Sequence, residues 1–287
     1  MTTHLPPSVL GIIELALDED LGRGDVTTRL VVPAGGAGAA RAIARQDLVV
    51  SGIDVFAAVM ARVDPAISVE PAVADGDRVP DGAVILEANG SLASLLMGER
   101  TALNFLQRLS GVATLTGRFV DALPAESSTR VLDTRKTTPG MRFIEKRAVI
   151  HGGGTNHRPD LGGGVLIKEN HVAAAGSLPE AVARCRRGAP HSLRVQVEVR
   201  DLEELRQAIA AGADAVLLDN MSPDQVRESV ELAGGRVMTE ASGGIALDNV
   251  AAFAVAGVDA VSIGALTHSA PAADISLLFD GVSSTAR

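Results

Sequence analysis

Three carboxylates, Glu198, Asp219 and Glu240, fall 21 residues apart, twice running. Each stands near the end of a short apolar run: LRVQVEV, DAVLLD and RVMTEA. A helical pattern follows each run: DLEELRQAIAAG closed by Gly212, SPDQVRESVELAGG with Ser222 placed to cap it, and LDNVAAFAVAG. One strand and one helix per period make a repeated βα unit. Strands alternating with helices of this length pair in parallel. This half of the chain therefore folds either as a (β/α) barrel or as an open doubly wound sheet. Both architectures gather functional groups at the C-terminal ends of the strands. Polar residues stand at that end of strand after strand: Asp133, Lys168, Glu198, Asp219, Glu240 and Ser262.

The first half has another rhythm. Residues 8–21 place apolar and acidic side chains at helical spacing, and LGRGDVTT interrupts them with two glycines. From Ala39 to Asn89 the pattern turns β-like, in runs such as DLVVSGI, ISVEPAV and AVILEANG, with DGDRVPDG as turn chemistry between them. Residues 91–123 are helical again. Strands first and helices after predict a compact α+β domain. The chain has six Phe and neither Trp nor Tyr, so Ala, Val, Leu, Ile and Gly must fill its cores. That composition argues against a base-stacking platform for single-stranded nucleic acid. The lone Cys185 excludes an internal disulfide framework and fits a reducing compartment. No secretory signal is evident at the N-terminus, whose apolar stretch is broken by Glu14 and Asp18. A soluble cytoplasmic protein is expected.

Charge is unevenly spread. The net charge is −9, yet between Arg130 and Lys168 eight Lys or Arg face three Asp or Glu, a local balance of +5 that leaves −14 elsewhere. An acidic protein with one basic segment is poorly suited to a nucleic-acid backbone and well suited to drawing a small polyanion into a cleft. Within that segment VLDTRKTTPGMR runs from an apolar strand into a basic turn. An Arg-Lys pair is ordinarily two solvated charges. Here Arg135 offers a planar fork for carboxylate or phosphate and Lys136 a compact point charge, both directly after a strand.

Further on, HGGGTNHRPDLGGGVLIKENH carries two glycine triplets with His157 and Arg158 between them, and Lys168 ends the apolar run GVLI. Glycine permits close backbone approach to a ligand, although a plain flexible linker has the same look. Neither the dinucleotide fingerprint nor the phosphate-loop lysine pattern occurs. His157 and His171 lack a third ligand at zinc spacing, which favours hydrogen bonding or proton transfer, and for His171 a structural role serves equally well. Ser242, Gly243 and Gly244 follow one strand and Gly264 the next, where loops of such barrels often hold a phosphate.

Together these stretches resemble the quinolinate phosphoribosyltransferase family. The matching pieces are EDLGRGDVTT, GERTALNFLQRLSG, DTRKTTPGMR, EKRAVIHGGGTNHRPDLGGGVLIKENH, LLDNMSP and EASGGI, which run in the family's order from residue 19 to 264. The resemblance implies an α/β fold. An N-terminal α/β sandwich over 1–112, joined by 270–287, would precede an incomplete (β/α) barrel over 113–269. It implies Mg²⁺ as cofactor, and a dimer in which one subunit's N-terminal domain closes its partner's barrel. By the same resemblance, Arg135, His157, Arg158 and Lys168 would hold the two carboxylates of quinolinate, with Lys136 shared between quinolinate and pyrophosphate. Arg100 would reach in from the neighbouring subunit. Glu198 and Asp219 would face the ribose and its metal-bound pyrophosphate, touching the metal directly or through water. Lys136, Glu198 and Asp219 would form the catalytic set, and Ser242, Gly243, Gly244 and Gly264 would receive the ribose phosphate. Two other readings compete. One is a relative using a different acceptor such as nicotinate, and the other is a non-catalytic barrel that senses an anionic metabolite.

Overall fold

The computed structural model describes residues 5–280. The chain opens with helices α1 (Pro7–Leu21) and α2 (Val26–Val31), strands β1 (Ala37–Ala44) and β2 (Leu48–Val49), and helix α3 (Ile53–Val63). Strands β3 (Ser68–Pro71), β4 (Arg78–Val79) and β5 (Val84–Ser91) then lead into the 30-residue helix α4 (Leu92–Asp121). The β-like stretch from Ala39 to Asn89 is thus interrupted by a helix. DLVVSGI is a strand for two residues, after which Gly52, at φ 105°, turns the chain into α3. There Val55, Phe56, Val59 and Met60 form a buried helical stripe. Helix α2 follows the glycine break because the Asp25 side chain caps it, accepting from the Thr28 amide at 2.9 Å.

The second half begins with β6 (Arg130–Leu132) and α5 (Arg142–His151). It continues through β7 (Val165–Ile167), α6 (Glu169–Ala175), α7 (Leu178–Gly188), β8 (Val195–Val199) and α8 (Leu202–Ala210). Next come β9 (Ala215–Asp219), α9 (Pro223–Ala233), β10 (Met238–Ser242), α10 (Val250–Val255), β11 (Ala260–Ser262) and α11 (Ala265–His268). Ser222 caps α9 as its position implies, accepting from the Gln225 amide.

Strands β6 to β11 form one six-stranded parallel sheet in the order β6-β11-β10-β9-β8-β7. The order decides between the two architectures. A doubly wound sheet reverses direction at a switch point, whereas here sequence neighbours pair from β7 to β11 and the first strand returns beside the last. That is a ring cut once, between β6 and β7. Thr155 partly covers the cut by pairing with Leu132 in a parallel bridge.

The first crossover helix of the ring packs elsewhere. The chain divides into two compact units, and the segment Thr137–Gly153, which holds α5, belongs to the first. That unit runs up to Gly117, includes this segment and resumes at Ser269; the second comprises Arg118–Lys136 and Gly154–His268. The division departs from boundaries at 112 and 269 chiefly in this segment. The physical reason is a buried carboxylate: Glu145 of α5, fully inaccessible, takes hydrogen bonds from Arg108 Nη2 at 2.8 Å and Nε at 3.1 Å. Arg147 reaches Asp54 at 2.8 Å, and His151 Nδ1 lies 2.8 Å from the Ser51 hydroxyl.

In the first unit a four-stranded antiparallel sheet has the order β12-β1-β5-β3, where β12 is Ile275–Asp280. Ala40, Ala42 and Ala44 of β1 are fully buried on one face, alternating as a half-buried strand requires. Gly111 of α4 lets the segment leading into β12 pass, since a Cβ there would stand 2.0 Å from the Pro271 carbonyl oxygen. The chain end thus returns to the first unit as far as residue 280, and 281–287 lie outside the described residues. Among the described residues no helix is long and apolar enough to cross a membrane.

Candidate active site

Parallel strands of one twist direct their C-terminal ends to one face, and in the second unit that face holds a cavity of about 370 Å³. Its wall carries Arg135 and Lys136 from the turn after β6, His157 and Arg158 from the glycine-rich loop, and Lys168 from the end of β7. Glu198 of β8, Asp219 of β9, Glu240 and Ser242 of β10 and Ser262 of β11 complete it. Side chains as far apart in sequence as Arg135 and Ser262 therefore share one space.

The cations are held as a cluster, which is unfavourable without an anion. Burial first, and the charge of Arg135 second, press the Arg158 guanidinium below its ordinary value. Arg158 Nη1 donates to the Gly164 carbonyl at 2.8 Å, and Arg135 Nε is buried with no hydrogen-bond partner. An orphaned donor in a polar cavity is what a ligand carboxylate or phosphate would satisfy. Lys168 Nζ forms an ion pair with Glu198 Oε2, half-exposed on the lysine side. Lys136 is fixed through its backbone: its amide donates to Thr134 Oγ1 at 3.0 Å and its carbonyl accepts from Thr267 Oγ1 at 2.8 Å.

Asp219 accepts from the neighbouring Asn220 Nδ2 at 2.8 Å. Asn220 is the one non-glycine residue in the left-handed region among the described residues, at φ 55°, and its amide donates to the Ser242 carbonyl at 2.8 Å. Gly243 makes this possible, because a Cβ there would stand 2.2 Å from Asn220 Oδ1. Gly243 and Gly244 follow β10 without lining the cavity, and Gly264 lies against Lys136, whose Cδ would be 2.9 Å from an added Cβ. Arg100 lies on α4 in the first unit and is exposed. His171 has a structural role, in which its Nδ1 accepts the Lys168 amide at 2.9 Å and closes the cap of α6.

The residue that sequence reasoning left without a role is Glu240. It is 1% exposed, its Oε2 accepts from Gln196 Nε2 at 2.8 Å, and it lies 3.5 Å from His157 Nε2. Burial alone would raise its pKa, but hydrogen bonding from His157, with Ser262 and Gln196, outweighs that and holds the carboxyl below its ordinary value. Its Oε1 is buried with no well-formed hydrogen bond. The signal was present in the sequence, in the same 21-residue phase as Glu198 and Asp219.

Among the described residues no group of three or more His, Cys, Asp or Glu side chains is arranged to hold a metal. The donor set instead suits a hard ion carried by a substrate. Glu198 and Asp219 offer carboxylate oxygens to one cavity, and Mg²⁺ is commonly held by one or two carboxylates plus substrate phosphates. A larger cavity of about 670 Å³ lies beside the glycine-rich loop, lined by Leu161, Ala174, Cys185, Leu193 and other mainly apolar residues. Its wall includes no carboxylate, which leaves it without the means for this chemistry.

Models of the N-terminal and C-terminal domains of quinolinate phosphoribosyl transferase match residues 25–110 and 112–278. The chain belongs to the quinolinate phosphoribosyltransferase family. It is 43% identical over 259 residues to the probable nicotinate-nucleotide pyrophosphorylase [carboxylating] of Bacillus subtilis, covering 90% of this chain and 89% of that one. It is similar to solved structures of NadC from Streptococcus pyogenes, with TM-score 0.91 at 40% identity over 96% of this chain and 98% of that one. The nicotinate-nucleotide pyrophosphorylase of Francisella tularensis gives TM-score 0.92 at 39% identity over 97% and 99%. The family models divide the chain at 110/112, while the packing of α5 assigns Thr137–Gly153 to the first unit of this quinolinate phosphoribosyltransferase family member.

Proposed function

We propose that this chain transfers the phosphoribosyl group of phosphoribosyl pyrophosphate to quinolinate with decarboxylation, giving nicotinate mononucleotide, pyrophosphate and CO₂, a step of de novo NAD biosynthesis. The observation that carries this reading is the meeting of Arg135, Lys136, Arg158 and Lys168 with Glu198 and Asp219 in one cavity. A dicarboxylate and a phosphorylated sugar need that cationic excess, and a sensor of anions would have no use for the acids.

In this reading Arg135 and Arg158, with His157 and Lys168, grip the two carboxylates of quinolinate. As the ring nitrogen attacks the anomeric carbon and pyrophosphate departs, positive charge grows on the ribose. Glu198 and Asp219 stabilise that charge, and Lys136 stabilises the leaving oxygens. Ser242, Gly243, Gly244 and Gly264 receive the ribose phosphate. Once quaternary, the ring nitrogen draws in the electron pair left on the adjacent carbon as CO₂ leaves, and a proton then takes the vacated position. That second stage asks the protein for orientation and exclusion of water. Glu198 and Asp219 would hold Mg²⁺, which would supply charge neutralisation for the pyrophosphate leaving group.

The working unit is proposed to be a cytoplasmic homodimer, or a higher homo-oligomer, with Arg100 supplied across the subunit interface. No nucleic-acid or membrane partner is invoked. The deciding experiment mixes the protein with carboxyl-labelled quinolinate, phosphoribosyl pyrophosphate and Mg²⁺ and measures labelled CO₂ and mononucleotide. Lys136→Ala and Glu198→Ala are each expected to lower turnover by about 100-fold or more while circular dichroism stays unchanged. Wild-type rates in either variant, or transfer to nicotinate without CO₂ release, would overturn the reading.

A further inference from the structure

Glu240 is the deepest acid of the cavity and takes no part in the chemistry above. It sits in β10, in register with Leu217 of β9 and Ala260 of β11, where water does not reach it. Among the described residues the basic side chain that faces it is His157, and no Lys or Arg is paired with it. A buried carboxylate without a strong cation is expensive to keep, so its presence calls for an explanation.

The hydrogen bonds of His157 supply one. Its Nδ1 accepts the backbone N–H of Arg158 at 2.7 Å. A ring nitrogen that accepts carries no proton, so the single N–H of the neutral ring is on Nε2, facing Glu240 Oε2 at 3.5 Å. The backbone amide of His157 meanwhile donates to Oδ1 of the fully buried Asp133 at 2.8 Å. Two inaccessible carboxylates thus hold His157 from below, one by its main chain and one by its ring. The next residue in the chain is Arg158, whose guanidinium lines the cavity.

We infer that Glu240 is a positioning residue: it fixes His157 as the neutral Nε2–H tautomer, and through that ring it sets the loop that presents Arg158 to the acceptor's carboxylate. The inference rests on the proposed reaction and refines it. With Nδ1 held by the Arg158 amide and Nε2 turned towards Glu240, His157 meets the acceptor as a braced ring, and the charge that grips the carboxylates comes from Arg135, Arg158 and Lys168.

The test has two arms. In the first, ¹⁵N-histidine NMR of the substrate-free protein reads the His157 tautomer directly. The Nε2–H form is expected in wild type and in Glu240→Gln, whose amide oxygen still accepts, and a mixed or inverted tautomer in Glu240→Leu. In the second, Glu240→Leu is expected to raise KM for quinolinate roughly 10-fold or more while KM for phosphoribosyl pyrophosphate moves less than about twofold, with Glu240→Gln restoring most of the loss. A wild-type His157 protonated on Nδ1 overturns the inference, as does an unchanged quinolinate KM in a folded Glu240→Leu. Should Glu240→Leu fail to fold, the wild-type tautomer still decides. An inactive wild-type protein would remove the proposed reaction while the tautomer measurement still judged the bracing of His157.

Discussion

At the scale of single residues the cavity rests on the difference between a fork and a point charge. Arg158 spends one nitrogen on the Gly164 carbonyl, which fixes the plane of its guanidinium, and it keeps its charge beside Arg135. Lysine would retain the charge and lose the fork. Arg158→Lys is therefore expected to weaken quinolinate binding by roughly 10-fold, about 1.4 kcal/mol, measured by calorimetry, and an unchanged affinity would refute bidentate recognition. Much of this was legible in the sequence, because Arg135, Lys136, Lys168, Glu198 and Asp219 stand directly at strand ends where the phase of the repeat puts them in view. Glu240 shared that phase and went without a role. Periodicity tells which end of a strand a side chain occupies, but its depth depends on the walls supplied by Gln196 and His157. Asn220 was hidden for a similar reason, since its left-handed backbone requires the missing Cβ of Gly243 from the following strand.

Among the elements, α5 departs furthest from sequence reasoning. Its segment belongs to the basic stretch, yet Glu145 is fully buried and binds Arg108 twice, the Thr138 amide at 3.0 Å and the Thr138 hydroxyl at 2.7 Å. The partner that buries it is 37 residues away in the chain, beyond the reach of any local pattern. Removing one member of such a pair strands the other charge. Glu145→Ala should cost about 3–5 kcal/mol of stability, seen as a lower denaturant midpoint, and a change below about 1 kcal/mol would show that the pair is dispensable. Helix α3 was unread for a different reason: β-branched and aromatic residues in IDVFAAVMARV suit either state, and Gly52 decides for the helix through a backbone angle that composition does not reveal.

For the whole molecule, the proposed dimer makes a quantitative claim about mixtures. If Arg100 of one subunit serves the barrel of another, Arg100→Ala and Lys136→Ala should each be inactive alone. After subunit exchange they should recover about a quarter of wild-type activity, since half the dimers are mixed and each holds one intact site. Two variants inactive alone that stay inactive after exchange would place Arg100 in its own subunit's site, and an active Arg100→Ala would place it outside the site altogether. The ring order of the barrel was foreseen as one of two alternatives, and the sandwich-plus-barrel arrangement followed from resemblance. That α5 leaves the barrel was visible in neither, because it follows from burial within the first unit.

Strand β12 has one more consequence. It zips onto β1, with Ala44 opposite Ile275, so the sheet begun at Ala37 waits until residues 275–280 have been made. On the ribosome the βα repeats emerge as an uninterrupted run and can begin to fold while that earlier sheet still lacks an edge. Until β12 arrives, β1 presents a bare row of amides and carbonyls to any passing strand. Translation that stalls after α11 would therefore release a chain with its later unit assembled and its earlier one adhesive, a species for chaperones to shield.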